Sequence, residues 1–107
     1  MMPSQPVLRT RSRILQAIRR FFSERDFTEV ETPVRIPVPA LETHIDAIGS
    51  EGRHLRTSPE LHMKRLIAAG EKRIFQLGPC FRRGEKGRLH NPEFTMLEWY
   101  RTEADYL

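Results

Sequence analysis

The stretch from Phe81 to Tyr100 reads FRRGEKGRLHNPEFTMLEWY, and its residue types could do chemistry on a charged substrate. Arg82 closes a short apolar run. A planar guanidinium in such a place suits bidentate contact with a phosphate or carboxylate. Arg83, Lys86, Arg88 and His90 follow, interrupted by Gly84 and Gly87. Cations on such a loop can follow a polyphosphate, and glycine lets the backbone come close to it. The chain then returns through alternating residues. Strand side chains point to opposite faces in turn, so Phe94, Met96, Glu98 and Tyr100 share one face and Thr95, Leu97, Trp99 and Arg101 the other. An aromatic, a carboxylate and a phenol on one face are unusual for a core. A polar hairpin with an exposed basic loop accounts for the same residues, and that alternative stays open at this point.

The upstream chain must supply the elements that hold this hairpin. With 107 residues it has room for one domain. Hydrophobic residues make up 38% and charged residues 30%, proportions ordinary for a globular protein. The net charge of +4 favours anionic partners. Cys80 is the single cysteine, so no internal disulfide can form, which fits a reducing cytoplasmic setting. Cys80 and the histidines His44, His54, His62 and His90 lack the spacing of a zinc site, so no metal-ligating side chains are expected. No signal-peptide core is present at the N-terminus, and no run approaches the roughly 20 apolar residues of a membrane span.

Residues 1–7 hold Pro3 and Pro6 and are expected to form a loose arm. From Leu8 to Arg25 the periodicity predicts a helix with Ile14, Leu15, Ile18, Phe21 and Phe22 on one stripe. Its arginines, Arg11, Arg13, Arg19, Arg20 and Arg25, read as a solvated outer face. Phe27–Val30 is expected as a short strand. Pro33, Pro37 and Pro39 then make an extended segment that cannot be an interior strand. His44–Ile48 alternates as a further strand would, Gly49–Gly52 is expected as a turn, and His54–Thr57 as a strand. Ser58 and Pro59 predict a helix start, with serine as the cap and proline in the first turn. That helix should stop at Gly70. Ile74–Gly78 leads into the hairpin. This order predicts an α+β fold, an antiparallel sheet with flanking helices.

With these residues in view, the sequence resembles the catalytic core of a class II aminoacyl-tRNA synthetase of the lysine subgroup. The hairpin is similar to motif 2 of that class. The segment Phe27–Pro33 (FTEVETP), with the helix before it, resembles motif 1, a dimerisation element. Arg56–Leu66 (RTSPELHMKRL) is similar to the segment that precedes motif 2 in lysyl-tRNA synthetases. Within the subgroup the likeness points to the short paralogues that attach β-lysine to elongation factor P. The chain opens directly on the motif 1 helix, with no anticodon-binding domain ahead of it. Ser58 stands where the tRNA synthetases usually carry a small apolar residue, and it also serves as an ordinary helix cap.

The resemblance implies ATP-dependent activation of lysine or β-lysine as an aminoacyl-adenylate, then transfer to a lysine of elongation factor P. Arg82 would be catalytic, binding the ATP α-phosphate and the substrate carboxylate; one well-placed donor of this kind contributes on the order of 3–4 kcal/mol. Arg88 and His90 would hold the outer phosphates, and Phe94 would stack on adenine. Glu60 would take the substrate α-amino group, and Ser58, Glu98 and Tyr100 would line the amino-acid pocket. For Glu60 alone a first-turn acid interacting with the helix dipole is an equally simple reading. ATP and Mg²⁺ are the implied cofactors. The implied partners are the amino acid, elongation factor P and a second copy of the chain. Neither tRNA nor a membrane is expected. A lysyl-tRNA synthetase core fragment charging tRNA, and a remnant that only dimerises or binds nucleotide, are the rival readings.

Two departures from the family's pattern stand out. The family usually reads Phe-Arg-Asn-Glu in motif 2, whereas this chain reads Phe81-Arg82-Arg83-Gly84, with an acid only at Glu85. Glu85 is expected to take over that nucleotide contact. The glycine-rich motif 3 and the metal-binding carboxylates do not occur in these residues. The expectation is therefore an N-terminal part of a catalytic core over residues 8–107, incomplete and impaired as a ligase by itself.

Overall fold

The structure is a computed structural model, and it describes residues 4–37, 48–82 and 92–102. The first helix, α1, spans Gln5–Ser23 and starts ahead of the expected position. Ser4 caps it, its Oγ accepting from the Val7 amide at 3.4 Å, and Pro6 sits in the first turn where its missing N–H costs nothing. Residues 5–7 are thus helical, which corrects the loose arm over that part. The helix ends at Ser23, short of Arg25, because Asp26 adopts a left-handed conformation (φ 61°). There the Phe27 amide turns back onto the Phe22 carbonyl.

Two three-stranded sheets follow. In the larger, β1 (Thr28–Glu29), β5 (Arg73–Phe81) and β6 (Glu93–Arg101) lie in the order β1-β5-β6. The β5–β6 pair is the expected antiparallel hairpin, with Phe75 opposite Trp99 and Cys80 opposite Phe94. The β1–β5 pair is parallel, which departs from a purely antiparallel sheet. A long crossover separates these two strands, and a parallel pair needs such a connection. The smaller sheet, in the order β2-β4-β3, is made of β2 (Arg35–Ile36), β3 (Ile48–Ser50) and β4 (Arg53–Leu55). As Pro33 and Pro37 require, β2 is an edge strand. The turn joining β3 to β4 is Glu51–Gly52 alone. Both residues have positive φ, 50° and 78°, as a two-residue hairpin demands. Gly49 and Ser50, expected in the turn, are strand residues. Most of the strand expected over 44–48 lies outside the described residues.

The second helix, α2, spans Glu60–Ala68. Ser58 and Pro59 precede it, one residue off the expected start. Ser58 Oγ accepts from the Glu60 amide at 3.4 Å, so it still satisfies one free donor of the first turn. At the other end Gly70 has φ 115°. Its amide bonds to the Ile67 carbonyl, and that of Glu71 to Leu66, closing the helix as a glycine after the cap allows.

The core lies on both faces of the β5–β6 hairpin. On one face Phe22 of α1 stacks on Phe75, with ring centroids 4.6 Å apart, and meets Phe27 edge-on at 5.0 Å. Trp99 tilts against the same ring at 5.7 Å. On the other face Met63 of α2, Ile74 and Cys80 are fully buried. The apolar stripe of α1 is only partly covered, since Ile14 and Phe21 remain about half exposed. The Arg25 guanidinium lies 3.6 Å from the Phe21 ring centroid and shields it. Arg19 reaches back to the Glu29 carboxylate at 3.1 Å. No helix among the described residues is long and apolar enough to cross a membrane.

Candidate active site on the inner face of the hairpin

The alternation of β6 puts Phe94, Met96, Glu98 and Tyr100 on the α2 side of the sheet, opposite Cys80, Gly78, Gln76 and Ile74 of β5. Two chemically different ends result. At the end of the hairpin where the chain passes from β5 to β6, the Arg82 amide bonds to the Pro92 carbonyl at 2.9 Å, which continues the ladder one step beyond Phe81 and Glu93. The Arg82 guanidinium sits over the Phe94 ring, 5.3 Å from its centroid. Its Nε is buried and has no hydrogen-bond partner among the described residues. A buried guanidinium nitrogen left unpaired is costly, and an anion brought to this place would satisfy it.

At the other end, acidic groups gather. Tyr100 Oη donates to Glu98 Oε2 at 2.5 Å. Burial, the hydrogen bond to Glu98 and the nearby charges of Glu98 and Glu60 all push the phenol above its ordinary value. It therefore stays protonated and keeps donating. Glu60 stands in the first turn of α2, and its carboxylate accepts from Lys64 Nζ at 2.6 Å. Contact with Glu60 raises the lysine's pKa, and Glu98 adds to the same effect. Two carboxylates, one from a helix and one from a strand, thus act on one neighbourhood beside a fixed phenol. Such a set is suited to an ammonium group, and Lys64 Nζ already occupies Glu60. Met63, one turn along α2 from Glu60, is fully buried and fixes the helix against the sheet.

The expected site residues divide cleanly. Arg82 and Phe94 meet each other, and Glu60, Glu98 and Tyr100 form the acidic end. Ser58 lies half-buried just before α2, within the backbone turn that leads into Glu60. Glu85, Arg88 and His90, expected to bind ATP, lie outside the described residues. The Cys80 thiol, pushed up chiefly by burial, is a packing group and no nucleophile. Among the described residues no group of three His, Cys, Asp or Glu could hold a metal ion.

Sequence reasoning missed the polar cluster under these two ends. Arg56 is 2% exposed. Its Nε donates to the Pro79 carbonyl at 2.9 Å, and its Nη1 donates to the Thr32 carbonyl at 3.0 Å and to Thr32 Oγ1 at 2.9 Å. The Gln76 amide is oriented with its oxygen 2.8 and 2.9 Å from Nη1 and Nη2 of Arg56, and its nitrogen donates to Thr32 Oγ1 at 2.8 Å. This orientation, assigned from the hydrogen-bond network, satisfies both ends of the Gln76 amide. The one signal in the sequence was a glycine, Gly78, inside an otherwise well-formed strand.

Comparison with known proteins identifies the family. The family model described as tRNA synthetases class II (D, K and N) matches residues 3–107. The chain is 48% identical to the elongation factor P–(R)-β-lysine ligase of Vibrio cholerae, over 92% of this chain and 34% of that protein. The ligase of Mannheimia succiniciproducens is also 48% identical, over 96% of this chain and 36% of the relative. That of Photorhabdus laumondii is 51% identical, over 89% and 32%. The chain therefore spans about a third of the length of the curated relatives it matches. The match of that family over almost every residue shows that this chain belongs to the class II tRNA synthetases of the D, K and N type.

Proposed function

We propose that this chain carries the ATP- and amino-acid-binding face of a ligase that activates lysine or β-lysine as an aminoacyl-adenylate and transfers it to a lysine of elongation factor P. One observation carries the reading: a cationic end (Arg82 over Phe94) and an acidic end (Glu60, Glu98 and Tyr100) share one face of a single hairpin. A lysine-type amino acid has ammonium groups for the acidic end and a carboxylate that must meet ATP at the cationic end. Arg82, with its unpaired Nε, fits the α-phosphate and offsets the charge that builds up as the carboxylate attacks phosphorus. Phe94 offers a flat ring for adenine. Mg²⁺ would accompany ATP and neutralise its outer phosphates. The names of the relatives support elongation factor P as acceptor. The half-exposed apolar residues Val7, Leu8, Ile14 and Phe21 of α1 support pairing with a second copy through the motif 1 region. A cytoplasmic setting belongs to the same proposal.

The test is exchange of labelled pyrophosphate into ATP with lysine or (R)-β-lysine, followed by a mass measurement on elongation factor P. The expected result is exchange that depends on the amino acid, runs well below that of a full-length relative, and falls further in Arg82→Ala. Aminoacylated tRNA with no mass shift on elongation factor P would replace this reading with a tRNA synthetase. Nucleotide binding without any exchange would leave only a nucleotide-binding remnant.

A further inference from the structure

Arg56 is a buried cation with only neutral partners. Among the described residues it has no ion pair, and carbonyl, hydroxyl and amide groups take up its donors. Burying a guanidinium without a carboxylate is expensive, so so complete a set of partners calls for a reason. The partners come from three separate segments. Thr32 lies just beyond β1, Gln76 and Pro79 belong to β5, and Arg56 itself lies between β4 and α2. Its main chain joins in as well. The Arg56 amide bonds to the Val34 carbonyl at 2.8 Å, and the Phe81 amide bonds to the Arg56 carbonyl at 2.9 Å.

These bonds fall where β5 loses its other neighbour. The pairing with β1 ends at Glu29 and Phe75, with one further bond from the Val30 amide to the Phe75 carbonyl. Beyond that point the free edge of β5 is held by Arg56. Arg82 follows directly on Phe81, and Glu60 begins the helix that follows Arg56. Gly78 completes the fit. A Cβ at that position would stand 2.5 Å from Arg56 Nη2, closer than any real contact allows. The strand carries glycine there because the guanidinium lies across it.

We propose that Arg56 is a positioning residue that sets the separation between Glu60 and Arg82, and that Gly78 is the gap that admits it. What those two ends hold rests on the functional reading above. A ligand that spans both ends depends on their separation, whereas a ligand held at one end does not.

The experiment titrates this chain by calorimetry with ATP, with lysine, and with a non-hydrolysable lysyl-adenylate, the lysyl sulfamoyl adenosine. The proteins are the wild type, Arg56→Met, Gly78→Ala and the double variant. The expected result for each single variant is a loss of about tenfold or more for the linked ligand, with ATP affinity kept within about twofold. The double variant should match Arg56→Met alone to within about twofold, since Gly78→Ala acts mainly by displacing the guanidinium, with Gln76 Nε2 the next nearest atom at 3.1 Å. Equal losses for ATP and for the linked ligand would mean general damage and would overturn the proposal. So would a Gly78→Ala penalty that persists without Arg56. If the wild type binds neither lysine nor the linked ligand, the functional reading fails, and the same four proteins are compared by thermal unfolding. A Tm lowered by Gly78→Ala in the wild-type background and not in Arg56→Met then supports the clamp, and an equal lowering in both sinks it.

Discussion

Tyr100 and Glu98, two residues apart on one face of β6, share a hydrogen bond of 2.5 Å in which the phenol is the donor. The bond fixes the carboxylate's orientation. The phenol also gains from burial and from the charge of Glu60. It therefore titrates above the usual tyrosine range.

The difference in phenolate absorbance between the wild type and Tyr100→Phe isolates this group. The titration step lost in Tyr100→Phe should lie above the ordinary value of about 10. Glu98→Gln should bring that step down, because the charge that disfavours the phenolate is gone. A step at the ordinary value in the wild type would contradict the geometry. Glu98→Gln should also weaken lysine binding by about tenfold, in keeping with loss of a charge-assisted contact.

His62 makes the stability depend on pH. Burial, followed by the neighbouring cations Arg65 and Arg56, holds its pKa below the ordinary 6.5. The folded state thus binds fewer protons than the unfolded chain in the window just below that value. The stabilisation is present above pH 6.5 and is lost as pH falls through it towards the folded pKa. His62 is half-exposed, so the effect should amount to less than about 1 kcal/mol. Urea midpoints at about pH 7.5 and about pH 5.5 should differ more in the wild type than in His62→Gln. An unchanged difference would assign the pH dependence elsewhere.

Phe22 and Phe21 are neighbours on α1 with different fates. Phe22 is 4% exposed and stacks on Phe75, whereas Phe21 is 48% exposed beneath Arg25. Phe22→Ala should cost about 3–5 kcal/mol in chemical unfolding. Phe21→Ala should cost less than about 1 kcal/mol. Comparable losses at the two positions would mean that α1 packs differently on the hairpin.

Much of the local structure was written in residue type and spacing. Alternation along β6 sorted Phe94, Glu98 and Tyr100 from Leu97 and Trp99, because strand side chains must point to opposite faces. Gly70 marked the end of α2 because few other residues accept its left-handed backbone. The start of α1 was misjudged, since Pro6 reads as a helix breaker until Ser4 is recognised as the cap ahead of it. Contacts distant in sequence were not legible. Thr32, Arg56 and Gln76 carry no pattern that brings them together, and only the crossover from β1 to β5 does so. The parallel direction of β1 came from the same crossover. The sequence by itself determined the family and the chemical character of the two ends of the site. The tertiary structure decided how far apart those ends lie, because that separation depends on a buried guanidinium bridging segments that no local preference connects.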